Sequence, residues 1–153
     1  MVELVNLLKE KKLTIGSIES MTGGLFASSI TDVPGASKVF KGSVVSYSPL
    51  VKESVVHVKE ETISKYGVVS KEVAYEMAYN GRELLDVDIC VSVTGNAGPT
   101  AEPGEEGVGS VYIGLSTKKE TLTFKKNFTG NRDEIRKKTL LAMQEEVLKY
   151  IRS

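Results

Sequence analysis

A serine and a lysine on separate segments give this chain a means of nucleophilic chemistry. A serine hydroxyl attacks only when a nearby base takes its proton, and a lysine amine kept out of water can be that base. Ser20 follows the apolar run Leu13 to Ile18 and precedes Met21-Thr22-Gly23-Gly24. That order reads as a strand delivering a hydroxyl to the mouth of a helix. The first N–H groups of a helix lack internal partners and carry partial positive charge, which favours a phosphate or an oxyanion there. Gly23 and Gly24 lack Cβ atoms, so a ligand can approach their main chain closely. The same residues fit a plainer role, because Ser20 or Thr22 can be the N-cap of that helix.

Lys52 has a comparable setting. Val39 to Tyr47 is rich in β-branched and aromatic residues and reads as a strand, with Gly42 as the place for a bulge. Pro49 is placed to start a short helix that carries Lys52 in its first turns. Tyr47 and Lys52 therefore sit where a strand end enters a helix, as Ser20 does. If the strands are parallel, these ends share one edge of the sheet, where open α/β sheets bind ligands. Read singly, Lys52 is a solvated lysine and Tyr47 an edge aromatic. The one histidine, His57, lacks neighbours that would complete a metal site and reads as structural or surface. The one cysteine, Cys90, lies inside the apolar run Val87 to Val93 and reads as core packing.

The elements that must position these residues follow from periodicity. Met1 to Lys12 forms an amphipathic helix and does not read as a signal peptide, and no apolar run reaches membrane-spanning length. Leu13 to Ile18 is the first strand, and Leu25 to Ile30 is a helix closed by Asp32-Val33-Pro34-Gly35. Glu60 to Tyr66 is a short helix ended by Gly67, and Ser70 caps a longer one whose Val73, Ala74, Met77 and Ala78 share a face. Val87 to Thr94 is the most strand-like run and is expected at the centre of the sheet. Gly95 to Gly109 is a long stretch of glycine, proline, alanine and acid, which reads as a functional loop or a disordered one. Val111 to Ser116 and Thr121 to Phe128 form a hairpin, and Asn131 caps a final helix with Asp133 and Glu134 in its first turn.

Composition sets the outer limits. The 153 residues fit one domain, residues 1–153, with hydrophobic content of 41% and charged content of 26%. Twenty basic and twenty acidic side chains leave no net charge, which gives no electrostatic case for binding duplex nucleic acid. A single thiol means no disulfide framework, which suits a reducing cytoplasm.

Seven ordered stretches then resemble one family: Glu19-Ser20-Met21-Thr22-Gly23-Gly24, Thr31 to Ser37, Val45 to Lys52, Tyr66 to Ser70, Thr94 to Pro99, Val108 to Tyr112, and Phe128 to Arg132. Together they are similar to the CinA C-terminal domain family over nearly the whole chain. The resemblance implies an α/β fold, a three-layer α/β/α sandwich with a mixed, mostly parallel sheet. Stand-alone members of that family are nicotinamide-nucleotide amidases, so it also implies hydrolysis of the carboxamide of nicotinamide mononucleotide to nicotinate mononucleotide and ammonia. Ser20 matches the family's nucleophile, Lys52 its general base, and Tyr47 a positioning or proton-transfer partner. Thr22, Gly23 and Gly24 match the loop beside the serine, Thr94 and Gly95 a second loop at the pocket. Arg132 matches an arginine suited to the nucleotide phosphate through its two-pronged donor fork. The resemblance implies no metal, no organic cofactor, no nucleic acid and no membrane, and a cytoplasmic homo-oligomer acting on a small nucleotide. The alternative from another class is a non-catalytic nucleotide-binding or regulatory module. Met21, Asn96 and Glu105-Glu106-Gly107 depart from the family pattern, and the last two bear on substrate preference.

Overall fold

The computed structural model describes residues 1–153. Five strands, β1 (Ile15–Glu19), β2 (Phe40–Val45), β3 (Ile89–Gly95), β4 (Ser110–Ser116) and β5 (Thr121–Asn127), form one sheet in the order β2-β1-β3-β4-β5. β1 runs parallel to both β2 and β3, while β4 is antiparallel to β3 and to β5. Four of the five strands therefore point the same way, and β3 is central. The ends of β1, β2 and β3 emerge together on one edge, which is what the parallel reading requires.

Side chains alternate across the sheet, and the alternation sorts the helices into two layers. Ile15, Val91, Val93, Val111, Ile113 and Leu115 face a core shared with α1 (Val2–Lys11), α2 (Leu25–Thr31) and α6 (Arg132–Arg152). Ile18 and Cys90 face the other way, onto Val56, Val58, Val73 and Met77. That second layer is built by α3 (Pro49–Ser54), α4 (Glu60–Tyr66) and α5 (Lys71–Leu85). The result is an α/β/α sandwich with a mixed sheet. Because β1, β3 and β4 are covered on both faces, each is buried along almost its whole length, as in the apolar run that marks β3 in the sequence.

Local chemistry sets the boundaries. Ser70 accepts from the Val73 N–H at the start of α5, and Asn131 and Glu134 form a reciprocal capping box at the start of α6. Gly67 ends α4. α5 crosses the sheet where Gly81 lies, so close that any side chain there meets Ile18 and the Cys90 sulfur. Two details differ from the sequence reading. The bulge in β2 inserts Lys41, next to Gly42, because Ile15 pairs with Phe40 and Gly16 already with Gly42. A short 3-10 turn, Ala36–Lys38, precedes β2, closed by a bond from Val39 N–H to the Ala36 carbonyl. No helix is long and apolar enough to cross a membrane.

Candidate functional site

Ser20 follows the last residue of β1, and the β1–β2 pairing continues one step further. The Ser46 N–H donates to the Glu19 carbonyl at 2.7 Å. The chain then turns: Ser48 caps α3, accepting from the Val51 N–H at 3.2 Å, and Pro49 takes the first helical position. This turn points Lys52 inward. Its side chain is fully buried, and its Nζ donates to Ser20 Oγ at 2.8 Å and to the Ser46 carbonyl at 2.5 Å. No carboxylate forms an ion pair with it. Burial without a counter-charge disfavours the ammonium and pushes its pKa down from 10.5 to about 8. The cost of keeping this lysine inside is roughly 3 kcal/mol at neutral pH, at about 1.4 kcal/mol per pH unit. An amine so placed accepts a proton from Ser20 while an N–H of its own remains on the Ser46 carbonyl.

The turn after Ser20 differs from the sequence reading. Neither Ser20 nor Thr22 caps α2; the cap position is Gly24, whose φ of 100° lies in the left-handed region that glycine adopts without strain. The first-turn N–H groups of α2, from Phe26 and Ala27, donate to the carboxylate of Glu19 at 3.1 and 3.0 Å. The anion at this helix is thus the chain's own. Thr22 is buried with its hydroxyl donating to Glu19 Oε1 at 2.8 Å, and the Gly23 N–H donates to the Ser20 carbonyl at 3.0 Å. Thr22, Gly23 and Gly24 therefore shape the turn from behind and do not line the cleft in front of Ser20. The N–H groups of Met21, Thr22 and Gly24 donate to no acceptor in the protein.

That cleft encloses about 270 Å³ at the edge where the three strand ends meet. Ser20 and Met21 form its floor; Tyr47, Pro49, Val68 and Val69 line its wall on the α3 and α4 side. Thr94, Gly95, Asn96, Ala97, Glu105 and Arg132 complete the lining. Thr94 is buried and its hydroxyl donates to the Val68 carbonyl at 3.0 Å, joining the β3 end to the segment before α5. Arg132, the first residue of α6, donates to the Gly98 carbonyl at 2.5 Å and to the Tyr47 hydroxyl at 3.2 Å. Tyr47 is 62% exposed and makes no hydrogen bond to Ser20 or Lys52, so its contact is with the arginine at the rim.

The long loop is ordered by Asn96. Its Oδ1 accepts from the Gly98 N–H at 2.9 Å, its own N–H donates to the Ser110 carbonyl, and its carbonyl accepts from Gly109. The two adjacent glutamates separate in role. Glu106 accepts from the Tyr112 hydroxyl at 2.7 Å and pairs with Lys125, turned away from the cleft, whereas Glu105 lines the cleft and has no cationic partner. His57 is exposed outside this cleft, and Cys90 is buried in the core, where desolvation raises its thiol pKa far above the usual range.

Three contributors escape the sequence reading: Glu19, the Ser46 carbonyl and Arg136. Arg136 donates Nε to the Met21 carbonyl and Nη2 to the Thr22 carbonyl, both at 3.0 Å, clamping the turn that presents Ser20. A signal for Arg136 does exist, since it lies four residues after Arg132 and so on the same face of α6. Nothing in the local sequence marks the carbonyl.

Comparison with known proteins identifies the family and the fold. Residues 1–151 match the family described as the CinA C-terminal domain. A CinA-like protein of Endomicrobium trichonymphae is 50% identical over 134 residues, 88% of this chain and 31% of the relative. A CinA-like protein of Thermotoga maritima is 42% identical over 149 residues, 97% of this chain and 36% of the relative. The chain spans about a third of the length of these relatives. The competence/damage inducible protein CihA of Agrobacterium tumefaciens superposes with a TM-score of 0.93 at 28% identity, over 99% of this chain and 92% of that one. A CinA superfamily protein of Klebsiella pneumoniae, 21% identical, shares the fold with a TM-score of 0.95, over 98% and 94% of the two chains. The chain belongs to the CinA C-terminal domain family.

Proposed function

We propose that the chain is an amidase that hydrolyses the carboxamide of nicotinamide mononucleotide through a Ser20 acyl-enzyme, with Lys52 as the base. The observation that carries this reading is the 2.8 Å contact between Ser20 Oγ and a fully buried Lys52 whose pKa is pushed down to about 8. Neutral Lys52 takes the Ser20 proton as Oγ bonds to the carboxamide carbon. The tetrahedral oxyanion is served by the Met21 N–H, which follows the nucleophile in the cleft and has no acceptor in the protein. Protonated Lys52 returns the proton to the departing nitrogen, the C–N bond breaks and ammonia leaves. Water, deprotonated by Lys52, then cleaves the acyl ester, and the proton goes back to Ser20.

Recognition is assigned to the rim. Pro49, Val68 and Val69 offer an apolar wall for a flat ring, and Arg132 offers a cation for the phosphate. Tyr47 holds the arginine, which makes it a positioning residue in this scheme. Purified protein is expected to release ammonia from nicotinamide mononucleotide, and Ser20→Ala to release none while still binding the nucleotide. Absence of release from the parent, with binding retained, would replace the amidase with a nucleotide-binding module.

A further inference from the structure

We infer that Glu19 is the positioning residue for the Ser20–Lys52 pair, setting the place of both partners from one buried side chain and its own carbonyl. The inference rests on Ser20 being the nucleophile. Glu19 is completely buried, and five donor groups lie within hydrogen-bond distance of its carboxylate: Thr22 Oγ1, the N–H groups of Phe26 and Ala27, and the hydroxyls of Ser17 and Ser43, which are also 2.7 Å from each other and share one proton in that contact. These groups come from β1, β2, the Ser20 turn itself and the first turn of α2. The turn is therefore fixed on the far side of Ser20 by a group adjacent to it in sequence. The backbone of Glu19 fixes the other partner. Its carbonyl accepts from the Ser46 N–H at 2.7 Å and the Ser46 hydroxyl at 3.3 Å, and the Ser46 carbonyl in turn receives Lys52 Nζ. Serine and lysine are thus referenced to the same residue.

The geometry is demanding in a way that selects glutamate. Oε1 faces the Phe26 N–H and Oε2 faces the Ala27 N–H. Hydroxyl partners can rotate to suit a new neighbour, but a main-chain N–H cannot. A glutamine in either amide orientation points its NH₂ at one of these two N–H groups. Two donors facing each other in a buried site are repelled, and the α2 entry with the Ser20 turn must give way. Aspartate is one methylene short of both.

The test is the rate at which a fluorophosphonate probe, which labels activated serines whatever their natural substrate, modifies Ser20. It is followed by mass spectrometry and measured from pH 6 to 10. The parent is expected to label with an inflection near pH 8, set by Lys52. Glu19→Gln is expected to label at least thirtyfold more slowly and to lose that inflection, and its kcat on the nucleotide is expected to fall in step with KM changed less than threefold. Glu146→Gln, which removes the charge of the half-buried ion pair between α6 and Lys126 of β5, is the control for lost stability and should label at the parental rate. Thr22→Val removes one hydroxyl donor, leaves both N–H contacts and is expected to slow labelling three- to tenfold; it decides the matter if Glu19→Gln does not fold. Parental labelling with an intact pH profile in folded Glu19→Gln, or in Thr22→Val where that variant decides, would overturn the role of Glu19 alone. No labelling of Ser20 in the parent would overturn both this role and the amidase reading.

Discussion

The two sides of the cleft are built on opposite plans. On the β1–β2 side, Ser20 and Lys52 are buried, and every group that fixes them is itself fixed by strand pairing, by Glu19 or by the Arg136 clamp. On the β3–α6 side, Arg132 and Glu105 are exposed, Arg132 reaching across the rim to the exposed Tyr47 that follows β2, and the loop from Gly95 to Gly109 is tied by main-chain contacts and Asn96. Burial is what makes a lysine a base, because only desolvation lowers its pKa here. Openness is what lets a ligand enter and leave. Under the proposed function, the difference assigns chemistry to the buried side and recognition to the open one, so variants on the two sides should alter different kinetic constants.

Ser20→Ala gives the largest expected effect. Loss of the nucleophile should lower kcat by about a thousandfold or more, with the KM for the nucleotide nearly unchanged. A variant that kept most of its kcat would place the nucleophile elsewhere and break the comparison at its root.

Lys52→Met comes next, and it should separate activity from stability. Turnover is expected to fall about a thousandfold. The protein, however, should become more stable at pH 7 by about 1 kcal/mol, since removing roughly 3 kcal/mol of desolvation strain outweighs two lost hydrogen bonds at about 1 kcal/mol each. The sign with pH is definite. Because the folded pKa of Lys52 lies below its unfolded value, the unfolded chain binds more protons between about 8 and 10.5. The stability of the parent relative to Lys52→Met should therefore rise with pH across that window, the penalty being fully present below about 8. Denaturant titrations of both proteins at pH 7 and pH 10 measure it. In the parent, kcat/KM should climb about tenfold per pH unit on the acid side and level off above about 8, as the neutral amine accumulates.

How much of this was legible in sequence follows the same division. Ser70, Asn131, Pro49 and Gly67 are local signals, and the helices they start or stop lie where the pattern puts them. The sandwich and the shared edge of strand ends follow from the apolar runs and the parallel pairing of β1, β2 and β3. Glu19 was not legible as a structural centre, because its five donors are scattered between Ser17 and Ser43 and only folding brings them to one carboxylate. The helix-mouth reading of Gly23 and Gly24 named the right feature, an anion at the start of α2, but the anion is Glu19. The Ser46 carbonyl was invisible, since a main-chain acceptor has no residue type to announce it. Lys52 reads as a base only beside Ser20, because a lysine taken singly is usually solvated, and its burial comes only with the fold.

On the recognition side, Arg132→Ala should raise the KM for the mononucleotide by about 10- to 100-fold, the range expected for a lost charge-assisted phosphate contact, with kcat changed less than threefold. The corresponding nucleoside, which has no phosphate, should show equal kcat/KM with parent and variant. A fall in kcat of the same size as the rise in KM would mean that the arginine acts on the reacting carbon, and the division between the two sides would fail.

The smallest expected effect sharpens the comparison furthest. Asn96→Ala removes the acceptor for the Gly98 N–H and the side-chain contact to the Glu106 carbonyl. Gly98 carries the carbonyl to which Arg132 donates, so loosening this turn should let the arginine drift without touching Ser20 or Lys52. The loss in stability should be about 1 kcal/mol, the net worth of a typical hydrogen bond. The KM for the mononucleotide should rise about two- to fivefold, and the inflection of kcat/KM near pH 8 should not move, because nothing around the Lys52 amine has changed. A shifted inflection would show that the loop helps to keep water from the lysine, joining the open side of the cleft to the buried one.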